Sequence, residues 1–308
     1  MPRLKILLTR SLPRYYSRLY GNGEKEMREI LLSSRPISWV NTAYPFAAAF
    51  LVAGGSFGPL LIVGTFFFLF PYNLLMYGIN DVFDYESDKN NPRKGGVEGA
   101  LLEKSSHRLV LWSSILIPVP FILWLLLNGI LLSNIVLAAL LFFVVAYSAP
   151  KLRFKERPFL DSITSSIHFV GPMIYGLTVT SWPDKAWYFV VAFFFWGMAS
   201  HAFGAVQDIK ADRSGGLGSI GTRLGAKNTV RFSAVFYLAA AILVSLTGWQ
   251  GVLVGITGLL YVLNVWPYIN LSDKDCEKAN SAWKRFIYIN WITGAVITMV
   301  LIATFASQ

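Results

Sequence analysis

Charged residues are scarce in this 308-residue chain: Asp, Glu, Lys and Arg make up 14% of it, against about a quarter in an ordinary soluble domain. Cysteine is scarcer still. The single thiol, Cys276, excludes an internal disulfide and any cysteine-based metal centre. Residues 1–30 are basic and hold no apolar core of about 7–15 residues, so they do not read as a cleaved signal peptide. A nucleotide-binding fingerprint is lacking too. Gly216-Leu217-Gly218-Ser219-Ile220-Gly221 matches G-x-G-x-x-G, but it follows an apolar run of helix length and not a strand. Lys94-Gly95-Gly96 stands outside any G-x-x-x-x-G-K-[ST] frame.

Apolar residues fill the space instead. The chain is 55% hydrophobic with a mean hydropathy of +0.51, and many of its uncharged runs reach the roughly 18 residues that a spanning helix needs. Nine spans are expected, at about 38–55, 58–79, 109–127, 130–149, 160–181, 186–206, 230–248, 250–270 and 284–305. Breakers such as Gly54-Gly55, Asn128-Gly129, Trp182-Pro183 and Gly248 fall between them. The fold class predicted is an all-α integral membrane protein of nine transmembrane helices over residues 35–308, after a basic cytoplasmic segment over 1–34. Residues 3–20 read equally as a stretch lying on an anionic membrane surface and as a disordered tail.

Charge sets the orientation. With the N-terminus in the cytoplasm and the C-terminus outside, 26 of the 27 Lys and Arg fall on the cytoplasmic side. So do 16 of the 17 Asp and Glu; Asp184 and Lys185 are the exceptions. Chemistry is therefore expected at the cytoplasmic face. The net charge of +10 follows from the same asymmetry. Its residues sit at helix ends rather than along one face, which excludes nucleic acid as a partner.

Two acidic clusters carry the chemical signal. Asn80-Asp81-Val82-Phe83-Asp84-Tyr85-Glu86-Ser87-Asp88 leaves the second span, and on a continued helix Asp81, Asp84 and Asp88 share a face at i, i+3 and i+7. Asp208 and Asp212 leave the sixth span at i and i+4, which points to two similar halves. Stacked carboxylates repel one another unless a cation sits among them. Mg²⁺ takes oxygen ligands, usually one or two carboxylates plus water and substrate phosphates. Two facing clusters are thus suited to hold Mg²⁺ against a diphosphate and stabilise it as a leaving group. A solvated acidic turn is the plain alternative for either cluster alone.

Cations for a diphosphate are available in Arg35, Arg93, Lys94, Lys151 and Arg213, with Tyr147 and Lys151 at i and i+4 across the end of the fourth span. Each also serves as an orientation-setting charge. Aromatic faces that could line a carbocation include Tyr77, Phe83, Tyr147, Trp196 and Phe203. Asn41, Asn73, His168 and His201 are polar residues inside spans. They are expected to face the bundle interior, as substrate contacts or as helix–helix hydrogen bonds.

Asn80-Asp81-x-x-Asp84-x-x-x-Asp88 and Asp208-x-x-x-Asp212, after helices two and six of nine, resemble the motifs of the UbiA superfamily of intramembrane prenyltransferases. Arg35-Pro36, Tyr147-x-x-x-Lys151 and Thr222-Arg223-Leu224-Gly225 resemble further landmarks, so the likeness covers nearly the whole chain. It implies a helical bundle around a central cavity with a lateral opening for lipid substrates. It assigns Asp81, Asp84, Asp88, Asp208 and Asp212 to Mg²⁺, and Asn80, Arg35, Arg93, Lys94 and Lys151 to the diphosphate. The segment 34–46, with Pro71-Tyr72-Asn73 and residues 76–99, is more narrowly similar to the lycopene elongases of C50 carotenoid pathways. That likeness implies a dimethylallyl donor and lycopene as acceptor, with loss of a proton or addition of water at the end. An aromatic or quinone acceptor stays open. So does a transporter with an acidic vestibule, although its acids are expected near the midplane. No obligate protein partner is implied.

Overall fold

The computed structural model describes residues 21–88 and 102–306, with the side chains of residues 21, 22, 87, 88 and 306 outside that description. Among the described residues every regular element is helical. A surface helix, α1 (Gly21–Ser33), leads into α2 (Val40–Val52), α3 (Pro59–Leu69), α4 (Pro71–Phe83) and the single turn α5 (Tyr85–Asp88). Then come α6 (His107–Leu116), α7 (Pro118–Asn128), α8 (Leu131–Ser148), α9 (Leu160–Val179) and α10 (Ala186–Val206). The chain ends with the short α11 (Ile209–Ser214), α12 (Ile220–Ser245), α13 (Trp249–Val265) and α14 (Asn280–Ala306).

Seven stretches among the described residues, rather than nine, are long and apolar enough to cross a membrane. Two expected spans differ for physical reasons. Val40–Val52 is apolar but only 13 residues long. Leu160–Val179 has the length, yet it carries Asp161, Ser162, Thr164, Ser166, His168 and Thr178, all buried against neighbouring helices. Polarity there is turned into the protein, where it is satisfied at lower cost than in lipid. The outer surface is the reverse, with Leu127, Leu131, Leu263 and Trp291 among its exposed residues.

Prolines divide two of the spans. Pro71 has no N–H to donate and separates α3 from α4; Pro118 does the same between α6 and α7. At the first break the Asn73 side-chain amide repairs the loss, donating to the carbonyls of Phe68 and Leu69, both at 2.9 Å, and to Thr42 Oγ1 at 2.7 Å. Asn73 is fully buried in this joint. It lies away from the cavity lining, contrary to its expected cavity role.

Two aromatic-rich cores hold the bundle. One, around Phe46, Phe67, Phe68, Tyr72 and Tyr175, joins α2, α3, α4, α7, α8 and α9. The other, around Phe203, Tyr237, Tyr261 and Phe286, joins α10, α12, α13 and α14. Helix α9 packs on α2, α8 and α10 and so links the halves. Between α2 and α14, Tyr44 and Thr298 share a hydrogen bond of 2.9 Å.

Candidate active site

Both acidic clusters open onto one cavity of about 1550 Å³, larger than the roughly 300–1,000 Å³ usual for small-molecule pockets. Asn80, Asp84, Asp208 and Asp212 line it at the helix ends they occupy, while Gly54, Pro183, Thr247 and Gln250 line it at the opposite ends. The cavity therefore runs the length of the bundle. Of the other expected residues, Arg35, Asn41, Tyr77, Tyr147, His168, Trp196 and His201 all contribute to its wall. Arg93 and Lys94 lie outside the described residues, as does the side chain of Asp88.

The first cluster is not one continuous helical face. Helix α4 stops at Phe83, Asp84 caps it, and Tyr85–Asp88 form a separate turn. Asp81 is turned inward, its side chain wholly shielded, with Oδ1 accepting from Arg35 Nη2 at 2.8 Å. The Arg35 guanidinium also lies 4.2 Å from the centre of the Tyr77 ring. Asp84 faces the cavity against the ammonium of Lys155 and 3.6 Å from Arg153 Nη2. In the second cluster, the N–H of Asp212 donates to the carbonyl of Asp208 at 2.8 Å, which keeps both acids on one helical turn as their spacing predicts. Ser219 Oγ lies 3.3 Å from Asp212 Oδ2 and donates to it.

Lys151 is displaced from its expected place. Helix α8 ends at Ser148, and Ala149 is extended ahead of Pro150, so the i, i+4 register with Tyr147 is lost. Lys151 is exposed in a left-handed conformation, with φ 73°. The cation that this loop places in the cavity wall is Lys155, four residues on. Burial pushes its ammonium down to about 8, although Glu156, Asp81 and Asp212 pull the other way. Only the tertiary path of the 149–159 loop shows this; helical spacing placed Lys151 beside Tyr147 and gave no sign of Lys155.

Gly218 explains how that loop meets the second cluster. A Cβ at this position would stand 2.4 Å from the carbonyl oxygen of Glu156, so only glycine lets the two backbones approach so closely. The glycine-rich run is a packing device. Asp161 is a further residue that sequence reading passed over: it is fully buried, and its Oδ2 accepts from the N–H of Ile220 at 2.7 Å. Its carboxylate, the one acidic group in the expected span 160–181, was the available signal.

Oxygen donors of this kind fit Mg²⁺. Among the described residues, no three His, Cys, Asp or Glu side chains stand close enough to hold a metal by themselves. The concentration of Arg35, Arg153 and Lys155 at the buried Asp81 and Asp84 shows how strongly this mouth attracts positive charge.

Residues 42–304 match the model of the UbiA prenyltransferase family. The chain is 52% identical over 281 residues to lycopene elongase/hydratase of Corynebacterium glutamicum, covering 91% of this chain and 98% of that protein. It is 49% identical to a C(50) beta-cyclic carotenoids biosynthesis protein of Dietzia, across 88% of this chain and 63% of that one. The fold is similar to a UbiA homolog from Archaeoglobus fulgidus, solved with GPP and Mg²⁺ and with DMAPP and Mg²⁺. There the TM-score is 0.62 and the identity 18%, over 87% of this chain and 99% of that one.

Proposed function

The chain belongs to the UbiA prenyltransferase family and is an integral membrane prenyltransferase, and from that premise we propose that it transfers a dimethylallyl group from its diphosphate to lycopene, with Mg²⁺ as cofactor. The observation that carries the reading is the meeting of both acidic clusters with Arg35 and Lys155 at the mouth of one long apolar cavity. The 52% identity to a lycopene elongase/hydratase supports the acceptor. Family membership sets aside transport, the other use open to an acidic vestibule.

Asp84, Asp208 and Asp212, with Asp81 and Asp88, are the residues that would hold Mg²⁺. When bound, Mg²⁺ supplies positive charge to the diphosphate oxygens as the C–O bond breaks. Asn80, Arg35 and Lys155 orient the diphosphate from their places at the mouth, and Arg93 and Lys94 are proposed to join them. The rings of Tyr77, Tyr147 and Trp196 offer π faces to the allylic cation. The acceptor lies along the cavity with its terminal double bond toward the mouth. In the membrane the reading is of nine passes, with the acidic mouth and the N-terminus in the cytoplasm and the C-terminus outside.

Purified protein in lipid vesicles tests this. Pyrophosphate release from dimethylallyl diphosphate is expected to need both Mg²⁺ and lycopene and to cease on chelation. Release that ignores the metal contradicts the reading.

A further inference from the structure

Two turns below the acidic mouth, the cavity wall holds two histidines whose chemistry prenyl transfer has not yet used. The Tyr147 ring stands edge-on to His168 at 5.1 Å and to His201 at 6.5 Å between centroids. All three side chains line the cavity. His168 is 2% exposed, and its Nε2 has no hydrogen-bond partner. Behind His201 stands Asp161, at the start of α9 and fully buried, with Oδ2 3.6 Å from His201 Nε2. Asp161 is fixed by backbone groups. Its Oδ1 accepts from the N–H of Ser162 at 2.8 Å, and Oδ2 accepts from the N–H of Ile220 at 2.7 Å.

We propose that His201 is the catalytic base that ends the reaction and that Asp161 is its positioning residue; this rests on the prenyl-transfer reading above. Depth is the first reason. His201 stands five residues before the end of α10 at Val206, and Asp208 follows two residues past that end, so His201 lies about 7 Å of helix further into the cavity. A cation left on the acceptor after carbon–carbon bond formation lies below the diphosphate, at this level. Charge is the second reason. The imidazolium formed by proton transfer has a counter-charge in place, the shielded Asp161 carboxylate with Oδ2 3.6 Å from His201 Nε2. Of the two histidines, His201 is the one paired with a carboxylate among the described residues.

The steps balance. The C–O electron pair leaves with the diphosphate, and the π pair of the acceptor's terminal double bond forms the new C–C bond. The resulting tertiary cation then loses a proton to the His201 imidazole, and the C–H pair becomes a new double bond. Where the product is hydrated, a water oxygen adds to the cation and gives its proton to the same imidazole. Before the proton leaves, carbon–carbon bond formation is reversible. A protein lacking the base therefore still ionises the donor but loses the cation to water as the prenyl alcohol.

Wild type, His201→Ala and Asp161→Asn in lipid vesicles, supplied with dimethylallyl diphosphate, Mg²⁺ and lycopene, decide it. Pyrophosphate release is expected to persist in His201→Ala. Prenylated carotenoid per pyrophosphate should fall about 100-fold, the lower range of what a positioned base contributes, with dimethylallyl alcohol making up the difference. Imidazole added to His201→Ala should restore the carotenoid. Asp161→Asn should shift the same ratio without imidazole rescue; if it melts early through weaker bonds to the Ser162 and Ile220 N–H groups, His201→Gln provides the second reading of the ratio. An unchanged product ratio in folded His201→Ala overturns the proposal. If wild type releases no pyrophosphate, the prenyl-transfer reading fails and this inference with it.

Discussion

At the scale of single residues, the two acidic clusters differ in burial, and their variants should differ accordingly. Asp81 has no exposed side-chain surface and pairs with Arg35, which is itself largely shielded. Removing one partner of a buried pair strands the other charge, at a cost of about 3–5 kcal/mol. Asp81→Ala is therefore expected to lose both turnover and thermal stability in detergent. Asp208→Ala, half-buried in the cavity wall, should lose turnover while melting like wild type. Equal melting temperatures for the two variants would show that the Arg35–Asp81 pair is not structural. A second contrast concerns the lysines. Lys155→Met should raise KM for the prenyl diphosphate by about 10–100-fold, the range for a lost hydrogen bond to a charged group, and Lys151→Met should leave it near wild type. Steady-state rates over a range of diphosphate concentration read this directly. The acids were legible because carboxylates leaving apolar helices have few structural uses. Lys155 was not, because the helix that was taken to continue to Lys151 stops ahead of Pro150.

At the scale of elements, joints and close approaches set the geometry. Asn73 donates to two carbonyls beside Pro71 and to Thr42, so Asn73→Ala leaves buried acceptors unmatched. The expected loss is about 1–3 kcal/mol, seen as a lower melting temperature with KM unchanged. A rise in KM at unchanged stability would return Asn73 to the cavity. Gly218→Ala tests the opposite kind of site. Its Cβ would collide with the Glu156 carbonyl and push the loop bearing Lys155 away from Asp212. Misplacement of about 1 Å can cost about 100-fold in rate, so turnover should fall more than stability does. Periodicity and apolar length predicted a helix at every expected span. They could not tell a proline-repaired joint from a binding residue, because both place a polar side chain among apolar ones. Asp161 was hidden for a related reason: its partners Ile220 and His201 lie far along the chain.

At the scale of the whole molecule, the two cores leave between them a cavity that reaches from the acidic mouth to the far ends of α2 and α12. Such a shape suits a long, linear, apolar acceptor held with one end at the chemistry. Sequence alone could mark the apolar runs, of which seven rather than nine prove long and apolar enough to cross a membrane among the described residues. It could not show that the runs would enclose a cavity, since that depends on which helix packs on which. The proposed chemistry requires this cavity to bring lycopene to an allylic cation made at the acidic mouth. The most direct test is the pigment mass from cells that accumulate lycopene and express this chain. The account predicts masses raised by one or two five-carbon units, with or without added water, and lycopene unchanged in cells expressing Asp208→Ala. Lycopene unchanged with the wild-type protein folded in the membrane, and dimethylallyl diphosphate present, would contradict it.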